Sequence, residues 1–228
     1  MTNLSIIIPA YNEEKRIEST LNNLLKVFGD AEIIVVSNGS KDGTVEILKK
    51  WKDKNPNLDY KDFSEKLGKG GAIVEGLKEA KGDWVGFIDA DDAFDLEYIK
   101  QVLMTFSTFD CVIASKWKGK NTFQVDEPFL RKLMSRGWNL LVRVFLNLKY
   151  RDTQAGAKFF KKKVRENIGC DFISRGFAFD VELLNKIKKG GFRVKEVYIP
   201  SRFVEGSTFS LKYCGNMFRD LLKIWWSK

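Results

Sequence analysis

An apolar run at residues 84–88 ends abruptly at two carboxylates, Asp89 and Asp91, which are separated by a single residue. Read as a β-strand, this run carries both carboxylates to the carboxyl edge of a sheet, where open α/β sheets bind their ligands. Two hard oxygen donors at such an edge suit Mg²⁺ or Mn²⁺, ions that usually accompany a phosphate-bearing substrate. Spacing alone leaves a second interpretation open, a polar turn after a buried strand, because Asp is a common turn residue.

Strand and helix patterns alternate through the first half of the chain. Apolar runs that predict strands are separated by segments whose apolar residues recur at helical spacing, as in the stripe from Ile17 to Phe28. The alternation predicts an α/β fold with a doubly wound, mostly parallel sheet that is flanked by helices on both faces. The predicted strands are residues 4–9, 32–37, 58–63, 84–88 and 110–115, followed by a loop-to-strand segment at 152–160 and a strand at 192–199.

Polar clusters follow three of these strands and would converge at one edge of the sheet. They are residues 9–13, residues 38–40 and the pair Asp89 and Asp91. Taken singly, Asn12 reads as the cap of the first helix and Asn38-Gly39 as a turn. A glycine-rich basic loop at 66–72 could also hold a phosphate through backbone N–H groups and charge, although it lacks the spacing of a Walker motif.

The charge balance favours an anionic partner. Lys and Arg outnumber Asp and Glu by 39 to 30, which gives a net charge of +9 and suits a phosphate ligand, a membrane surface or nucleic acid. No recognised nucleic-acid-binding module is present, so we expect no nucleic-acid partner. The absence of histidine excludes Ser-His-Asp and Cys-His catalysis and His-bound zinc. The cysteines at 111, 170 and 214 are too isolated for a zinc site or a disulfide framework.

Two segments of the second half have the character of basic amphipathic helices. Residues 129–148 are strongly apolar and carry only positive charges, and residues 211–226 set an apolar stripe against a basic one and end in two tryptophans. Such helices lie in the headgroup region of membranes, although a core-facing helix has the same single stripe. The N-terminus lacks the pattern of a signal peptide, and no apolar run approaches the roughly 18 residues that span a bilayer. We therefore expect a soluble or peripheral protein.

Several motifs together resemble the inverting family-2 glycosyltransferases of GT-A fold. In the first half these are Pro9-Ala10-Tyr11-Asn12-Glu13, Asn38-Gly39-Ser40, Gly68-Lys69-Gly70-Gly71-Ala72 and Asp89-Ala90-Asp91. Segments of the second half are similar to the dolichyl-phosphate mannose and glucose synthases, and the likeness is strongest to the glucose branch. Those segments are Arg131-Lys132, Ser135-Arg136-Gly137, residues 152–158, residues 179–184 and Glu205-Gly206-Ser207.

The resemblance implies a role for each matching position. It implies that Asp89 and Asp91 hold Mg²⁺ or Mn²⁺. It also implies that Asp152, Gln154 and Asp180 face the donor sugar. These five residues form the implied catalytic set. It implies an acceptor-phosphate site formed by Lys116, Arg131, Arg136, Arg202 and Ser207. The implied nucleotide-sugar site consists of Pro9, Ala10, Tyr11, Glu13, Asn38, Gly39, Lys69, Gly70, Asp89, Ala90 and Asp91.

The sequence departs from the family pattern in three places. Ser37-Asn38 stands where the family often has two aspartates, Ala93 where some mannose synthases have Gln, and Thr208 where many members have Lys. One metal ligand would then be water or Asp92, and one phosphate contact would pass to a nearby base such as Lys212. The Asn38 amide offers one acceptor and one donor, which suit N3–H and O4 of uracil, so we favour UDP over GDP.

The resemblance implies transfer of a hexose from a nucleotide diphosphate sugar, with UDP-glucose favoured, to a dolichyl or other polyprenyl phosphate, with inversion. A phosphomonoester has a second pKa of about 6 and is largely ionised at neutral pH, so no strong general base is needed. The alternatives are GDP-mannose as donor, a sugar hydroxyl as acceptor with Asp180 or Asp152 as base, and a catalytically silent protein that binds a nucleotide sugar or anionic lipid.

We expect a peripheral location on the cytoplasmic face of a membrane. We also expect one domain over residues 1–228, with a nucleotide-sugar-binding half at 1–115 and an acceptor-binding half at 116–228 that carries the basic amphipathic helices.

Overall fold

The computed structural model describes residues 3–91, 93–120, 125, 128–201 and 213–227. Within these residues the strands are β1 (Leu4–Ala10), β2 (Glu32–Asn38), β3 (Leu58–Phe63), β4 (Trp84–Ile88), β5 (Cys111–Ser115), β6 (Ala157–Lys161) and β7 (Val194–Tyr198). The helices are α1 (Ile17–Val27), α2 (Thr44–Lys52), α3 (Lys69–Glu79), α4 (Leu96–Thr105), α5 (Phe129–Leu146), α6 (Lys162–Ile168), α7 (Phe179–Lys189) and α8 (Cys214–Trp226).

All the strands of the described ranges belong to one sheet in the order β3-β2-β1-β4-β6-β5-β7. β3, β2, β1 and β4 are parallel neighbours, and so are β5 and β7. β6 runs antiparallel to both β4 and β5. The predicted α/β fold with a mostly parallel sheet is therefore confirmed. Strands from both predicted halves share this sheet, and the division at residue 116 stays a prediction.

The central strands are buried on both faces. Ile6 and Ile8 of β1 belong to one apolar cluster and Ile7 belongs to another, because successive side chains of a strand point to opposite faces. α1, α2 and α4 contribute to the first cluster, whereas α3 and α5 to α8 contribute to the second. A sheet covered on both faces explains why its strands appear in the sequence as continuous apolar runs.

Some helix boundaries differ from the predictions. Asn12 does not cap α1, which begins only at Ile17. Asn12 instead adopts a left-handed backbone with φ of 54°, and its Oδ1 accepts a hydrogen bond from the Lys41 N–H at 2.8 Å. It thereby links the loop after β1 to the loop after β2. α6 is absent from the sequence-based prediction, and the predicted start of the last helix at 211 lies outside the described residues.

α5 and α8 pack against each other and on the second apolar cluster. The Phe145 ring contacts the rings of Phe218 and Trp225, with centroid distances of 6.2 and 5.7 Å. Each helix therefore has a core-facing stripe, as the alternative interpretation of these segments required. The buried residues of this stripe are Val142 and Leu146 from α5 and Leu221 and Ile224 from α8.

Both helices also keep large apolar side chains in solvent. Phe129 is 75% exposed, Val144 is 69% exposed and Trp226 is 83% exposed. Exposed apolar surface on this scale is typical of an interaction site. In the ranges that the structure describes, no helix combines the length and apolar character needed to cross a bilayer. The other exposed apolar residues of α5 and α8 are Leu130, Leu133, Leu140, Leu141, Phe218, Leu222 and Trp225.

Candidate active site

A cleft of about 1100 Å³ opens at the carboxyl edge of the sheet. Residues at and just after the ends of β1, β2 and β4, joined by the start of α3, form the part that we call the strand-end lining. Each of the three polar clusters predicted to converge at this edge contributes to this lining, although Asn12, Gly39 and Ser40 do not line the cleft. The strand-end lining comprises Pro9, Ala10, Tyr11, Glu13, Arg16, Asn38, Lys66, Leu67, Gly68, Lys69, Asp89, Ala90 and Asp91.

The remaining lining, which we call the second-half lining, comes from segments after residue 115. Its members lie after β5, on α5, before β6, before α7 and around the start of α8. It is richer in apolar side chains than the strand-end lining, so one cleft extends from the sheet edge to α5 and α8. The second-half lining comprises Lys116, Pro128, Leu130, Arg131, Met134, Ser135, Trp138, Leu141, Gln154, Arg175, Gly176, Phe177, Tyr213, Cys214, Asn216, Met217, Phe218 and Asp220.

Asn38 lies at the end of β2, and its side chain is buried. Its Oδ1 accepts a hydrogen bond from the Leu67 N–H at 2.5 Å, which fixes the loop before α3 against the sheet. Gly39 lies behind the lining rather than in it. Its φ of 71° favours glycine, and a Cβ there would lie 3.0 Å from the backbone of Glu65. Gly39 therefore allows the close approach of the loop that Asn38 holds.

Glu13 is a buried carboxylate at the same end of the cleft and is only 8% exposed. Its carboxylate accepts a hydrogen bond from Arg16 Nε at 2.8 Å, and its N–H donates to Thr44 Oγ1 at 2.8 Å. Burial raises the pKa of Glu13 to about 7, although Arg16 opposes the shift. The nearby charge of Asp91 adds to it. Glu13 is thus a group that titrates near neutral pH.

Asp89 and Asp91 both reach the cleft, as predicted. Lys69 Nζ lies 2.8 Å from Oδ1 of Asp89, and Oδ1 of Asp91 accepts a hydrogen bond from the Ala93 N–H at 3.2 Å. Burial raises the pKa of Asp89, the Lys69 ammonium opposes this shift, and the Asp91 charge reinforces it. Gly156 is required beside Asp89, because a Cβ at that position would collide with the carboxylate.

This pair of carboxylates fits Mg²⁺ or Mn²⁺. Mg²⁺ is commonly held by one or two protein carboxylates and completes its octahedron with water and substrate phosphates. Asp89 and Asp91 supply such a donor set. A bound cation would offset their mutual repulsion, which adds to the effect of burial on the pKa of Asp89. Among the described residues, no group of three or more His, Cys, Asp or Glu side chains could hold a metal alone. Asp92, the other candidate ligand, lies outside those residues.

Asp180 lies behind the cleft lining, which corrects the expectation that it faces the donor sugar directly. It is 1% exposed, its Oδ1 lies 2.5 Å from Lys158 Nζ, and its Oδ2 lies 3.6 Å from Lys69 Nζ. Burial lowers the pKa of the Lys69 ammonium, but the charges of Asp180 and Asp89 raise it above its ordinary value. Asp180 therefore supports Lys69 from behind.

Asp152 is also buried behind the lining, at 3% exposure. Its two carboxylate oxygens accept hydrogen bonds from the N–H groups of Lys116 and Gln154, both at 3.2 Å. Glu196 Oε1 on β7 in turn accepts the N–H groups of Arg151 and Asp152, at 2.8 and 2.9 Å. The predicted catalytic residue Gln154 does line the cleft, and Asp152 positions it rather than joining it.

Two of the predicted acceptor-phosphate residues, Lys116 and Arg131, line the cleft. Arg136 does not, because its guanidinium lies 5.2 Å from the centre of the Trp117 ring and donates to the Arg151 carbonyl at 3.3 Å. It ties α5 to the loop before β6. Arg202, Ser207 and the substitute base Lys212 lie outside the described residues.

The glycine-rich loop packs tightly against α7 and the segment before it. A Cβ at Gly70 would collide with the Phe179 side chain, so Gly70 lies outside the cleft lining. The Gly71 N–H donates to the Arg175 carbonyl at 3.0 Å and is therefore not available to a phosphate. The Gly71 part of the expected backbone phosphate cradle is therefore absent, whereas Lys69 does line the cleft.

Comparison with known proteins identifies the family. The family model described as glycosyl transferase family 2 matches residues 5–169. This range includes the whole strand-end lining, β2 to β6 and all of β1 except Leu4. The chain belongs to glycosyl transferase family 2. The resemblance noted in the sequence is thereby confirmed, and the protein is a glycosyltransferase.

This family-2 glycosyltransferase has curated relatives of similar sequence. It is 32% identical over 241 residues to a dolichyl-phosphate beta-glucosyltransferase of Drosophila melanogaster. The aligned region covers 97% of this chain and 74% of the relative. It is 30% identical over 201 residues to glycosyltransferase AglD of Haloferax volcanii. This aligned region covers 85% of this chain but 32% of the relative. The chain thus spans about a third of AglD and about three quarters of the insect enzyme.

Solved structures confirm the GT-A fold of this glycosyltransferase. Glucosyl-3-phosphoglycerate synthase from Mycobacterium tuberculosis, in complex with Mg²⁺ and UDP, superposes with a TM-score of 0.71 at 20% identity, over 99% of this chain and 79% of that one. Mannosyltransferase PcManGT from Pyrobaculum calidifontis, in complex with GDP-Man and Mn²⁺, gives a TM-score of 0.63 at 20% identity. That superposition covers 90% of this chain and 58% of the mannosyltransferase chain. At such identities the likeness establishes the fold alone.

Four residues that shape the site of this glycosyltransferase were not assigned a role from the sequence. Lys158, Glu182 and Glu196 are buried charged residues that hold other segments, and Arg175 lines the cleft. A lysine inside an apolar strand is a signal that points to Lys158, because a buried charge needs a partner. No comparable local signal marks Arg175, which precedes α7 in a loop.

Proposed function

We propose that this family-2 glycosyltransferase transfers glucose from UDP-glucose to dolichyl phosphate or another polyprenyl phosphate, with inversion. One observation carries the proposal: a single cleft joins the strand-end lining to α5 and α8, whose apolar side chains are exposed. A polar donor and a lipid-borne acceptor could meet in such a cleft. Three relatives with 28–32% identity across 97% of this chain bear the name dolichyl-phosphate beta-glucosyltransferase.

The choice of UDP rests on Asn38. One lone pair of its Oδ1 is taken by the Leu67 N–H, which leaves the second lone pair and the amide N–H groups for a ligand. One acceptor and one donor complement N3–H and O4 of uracil. Guanine would instead present N1–H and N2–H₂ together, which suits a carboxylate.

Positive charge for the departing diphosphate comes from the strand-end lining. Asp89 and Asp91 would hold Mg²⁺ or Mn²⁺, and a bound divalent ion stabilises negative charge as it develops on the leaving group. Lys69 adds an ammonium at the same place, and Asp89 and Asp180 keep it ionised and fixed. An ammonium held by two carboxylates is preorganised, because it need not move when charge develops.

Acceptor chemistry follows from the groups in the second-half lining. Lys116 and Arg131 are the cations that we assign to the acceptor phosphate, and the phosphate oxygen needs no base because it is largely ionised at neutral pH. A sugar-hydroxyl acceptor would need a carboxylate base. Asp152 and Asp180 are at most 3% exposed and already hold other groups, so this alternative is disfavoured.

A lipid-borne acceptor requires the enzyme to reach a membrane surface. The exposed apolar residues of α5 and α8 suit the headgroup region, and the exposed bases Arg219 and Lys223 lie on the same short helix as Trp225 and Trp226. We therefore propose peripheral association with the cytoplasmic face of a membrane.

The test is a donor panel of UDP-glucose, GDP-mannose and UDP-N-acetylglucosamine, each labelled in the sugar, with a short polyprenyl phosphate and Mn²⁺. We expect a lipid-soluble labelled product with UDP-glucose, and loss of that product when EDTA is added. Product from GDP-mannose alone would overturn the assigned donor. No product from any donor would favour a catalytically silent binding protein.

A further inference from the structure

We propose that Arg175 is a further substrate-binding residue, whose guanidinium contacts a phosphate group in the cleft. The inference rests on the proposed function in one respect only, that at least one substrate carries a phosphate. Arg175 lines the cleft from the loop before α7, next to Gly176 and Phe177.

The loop that carries Arg175 is held by a buried carboxylate. Glu182 is 3% exposed, and its two oxygens accept hydrogen bonds from the N–H groups of Ile173 and Ser174 at 2.9 and 2.8 Å. Ser174 Oγ then donates to an oxygen of Asp220 on α8 at 2.8 Å. The two residues before Arg175 are thus fixed to α7 and α8, which restricts where its side chain can reach.

The glycine-rich loop fixes Arg175 from the other side. A Cβ at Gly68 would collide with the Arg175 carbonyl oxygen, and the φ of 81° at Gly68 also favours glycine. The Gly71 N–H donates to that carbonyl oxygen, at 3.0 Å. The Arg175 Cδ passes 3.7 Å from the place that a Cβ on Gly71 would occupy, so the stem of the side chain lies along the start of α3. These contacts fix Arg175 against the glycine-rich segment that carries Lys69.

The guanidinium of Arg175 makes no hydrogen bond or ion pair with any residue in the described ranges, and the side chain is exposed. Other cations at this end of the cleft are engaged. Arg16 pairs with Glu13, Lys69 pairs with Asp89, and Lys66 Nζ lies 3.5 Å from the centre of the Tyr11 ring. A guanidinium held in a cleft without a protein partner can form two parallel N–H···O bonds to a phosphate.

The donor diphosphate and the acceptor phosphate present the same oxyanion to Arg175. The experiment therefore has one arm for each source. Calorimetry with UDP and with uridine isolates the diphosphate, because uridine shares the base and ribose but lacks phosphate. Calorimetry with farnesyl phosphate and with farnesol isolates the acceptor phosphate in the same way.

The variants are Arg175→Ala and Arg175→Lys, with Lys189→Ala as a control that removes one exposed positive charge outside the cleft lining. We expect Arg175→Ala to weaken binding of UDP or of farnesyl phosphate by about ten- to a hundredfold, the range of a charge-assisted hydrogen bond. Uridine and farnesol affinities should stay within about twofold. Arg175→Lys should recover part of the loss, since it keeps the charge without the planar fork.

Two results would overturn the inference. One is unchanged affinity of Arg175→Ala for both phosphate ligands when the wild-type chain binds them. The other is equal loss of affinity for UDP and uridine, which would mean that Arg175 supports the pocket rather than the phosphate. Failure of the proposed function gives a different result, because it appears in the donor panel and not as a difference between the wild-type chain and Arg175→Ala. If the wild-type chain binds neither UDP nor farnesyl phosphate, the inference is wrong as well.

Discussion

The two linings of the cleft are held in place by different physical means. In the strand-end lining, Asn38, Asp89 and Asp91 sit at or just after the ends of parallel strands, so the sheet itself brings them together. In the second-half lining, loops and helices carry the side chains, and buried polar groups fix those loops. Asp152 and Glu196 hold the segment with Lys116 and Gln154, and Glu182 holds the segment with Arg175.

This difference suggests where each part of the site is vulnerable. A change in the strand-end lining should affect chemistry while leaving the sheet intact, because its side chains follow the strands rather than support them. A change in the buried charges behind the second-half lining should affect stability, because breaking a buried pair leaves an uncompensated charge. Four experiments can break or sharpen this contrast.

The largest effect is expected from Lys158→Met. This change leaves Asp180 buried with only the more distant Lys69 as a partner and should lower the free energy of unfolding by about 3–5 kcal/mol. Denaturant unfolding measures the loss. The exposed Lys162→Met is the matched control, with an expected change within about 0.5 kcal/mol. Adding Asp180→Leu to Lys158→Met should restore much of the stability. An equal loss of stability in Lys162→Met would refute the claim that the buried charges behind the second-half lining are especially important for stability.

Asp91→Asn tests the strand-end lining. A neutral amide is a poor ligand for a hard divalent ion, so turnover should fall by about 100- to 1000-fold, while the free energy of unfolding changes little. Initial rates with saturating donor and parallel denaturant unfolding measure the two quantities. Asp30→Asn, in an exposed turn, is the control. A near-normal rate for Asp91→Asn in the presence of EDTA would remove the metal from the proposal.

Flotation with anionic liposomes tests whether the exposed surface of α8 serves membrane binding. Each Lys or Arg near an anionic leaflet contributes about 1 kcal/mol, so Arg219→Ala with Lys223→Ala should weaken binding by about 30-fold. High salt should weaken the wild-type chain as well. The matched double variant, Lys49→Ala with Lys50→Ala, alters α2 on the opposite face of the sheet and should bind normally. Failure of the wild-type chain to float at low salt would exclude this mode for the chain.

The smallest effect concerns Glu13. Its pKa of about 7 in the folded state lies above the ordinary value of 4.5, so the folded protein binds more protons than the unfolded chain between these values. The free energy of unfolding should therefore fall as pH rises through this window, by about 1 kcal/mol once screening near the open cleft is allowed for. Glu13→Gln should flatten this pH dependence, whereas Glu46→Gln on the surface should not. If the pH dependence of the free energy of unfolding is unchanged in Glu13→Gln, that dependence comes from other groups.

Local sequence patterns are sufficient for much of this protein. Continuous apolar runs predict β1, β2 and β4 because a strand buried on both faces has no polar side. The residue after such a run lies at the sheet edge by geometry, so Asp89 and Asn38 could be placed in the cleft without coordinates. Motif resemblance added the family, which the comparison confirms, and the acceptor-phosphate roles that we propose for Lys116 and Arg131.

Long-range packing decides the rest, because it depends on contacts between residues far apart in the chain. The antiparallel insertion of β6 between β4 and β5 buries Lys158 opposite Phe87, and that pairing makes Asp180 a support for Lys69 rather than a group in the cleft. Arg136 and Arg175 show that the sequence alone does not determine which arginine lines the cleft. Arg136 was predicted for the site and does not line the cleft, whereas Arg175 was not predicted and does. Arg136 lies on α5 and Arg175 lies in a loop, and only the packing of Trp117 and of Gly68 to Gly71 determines which of the two lines the cleft.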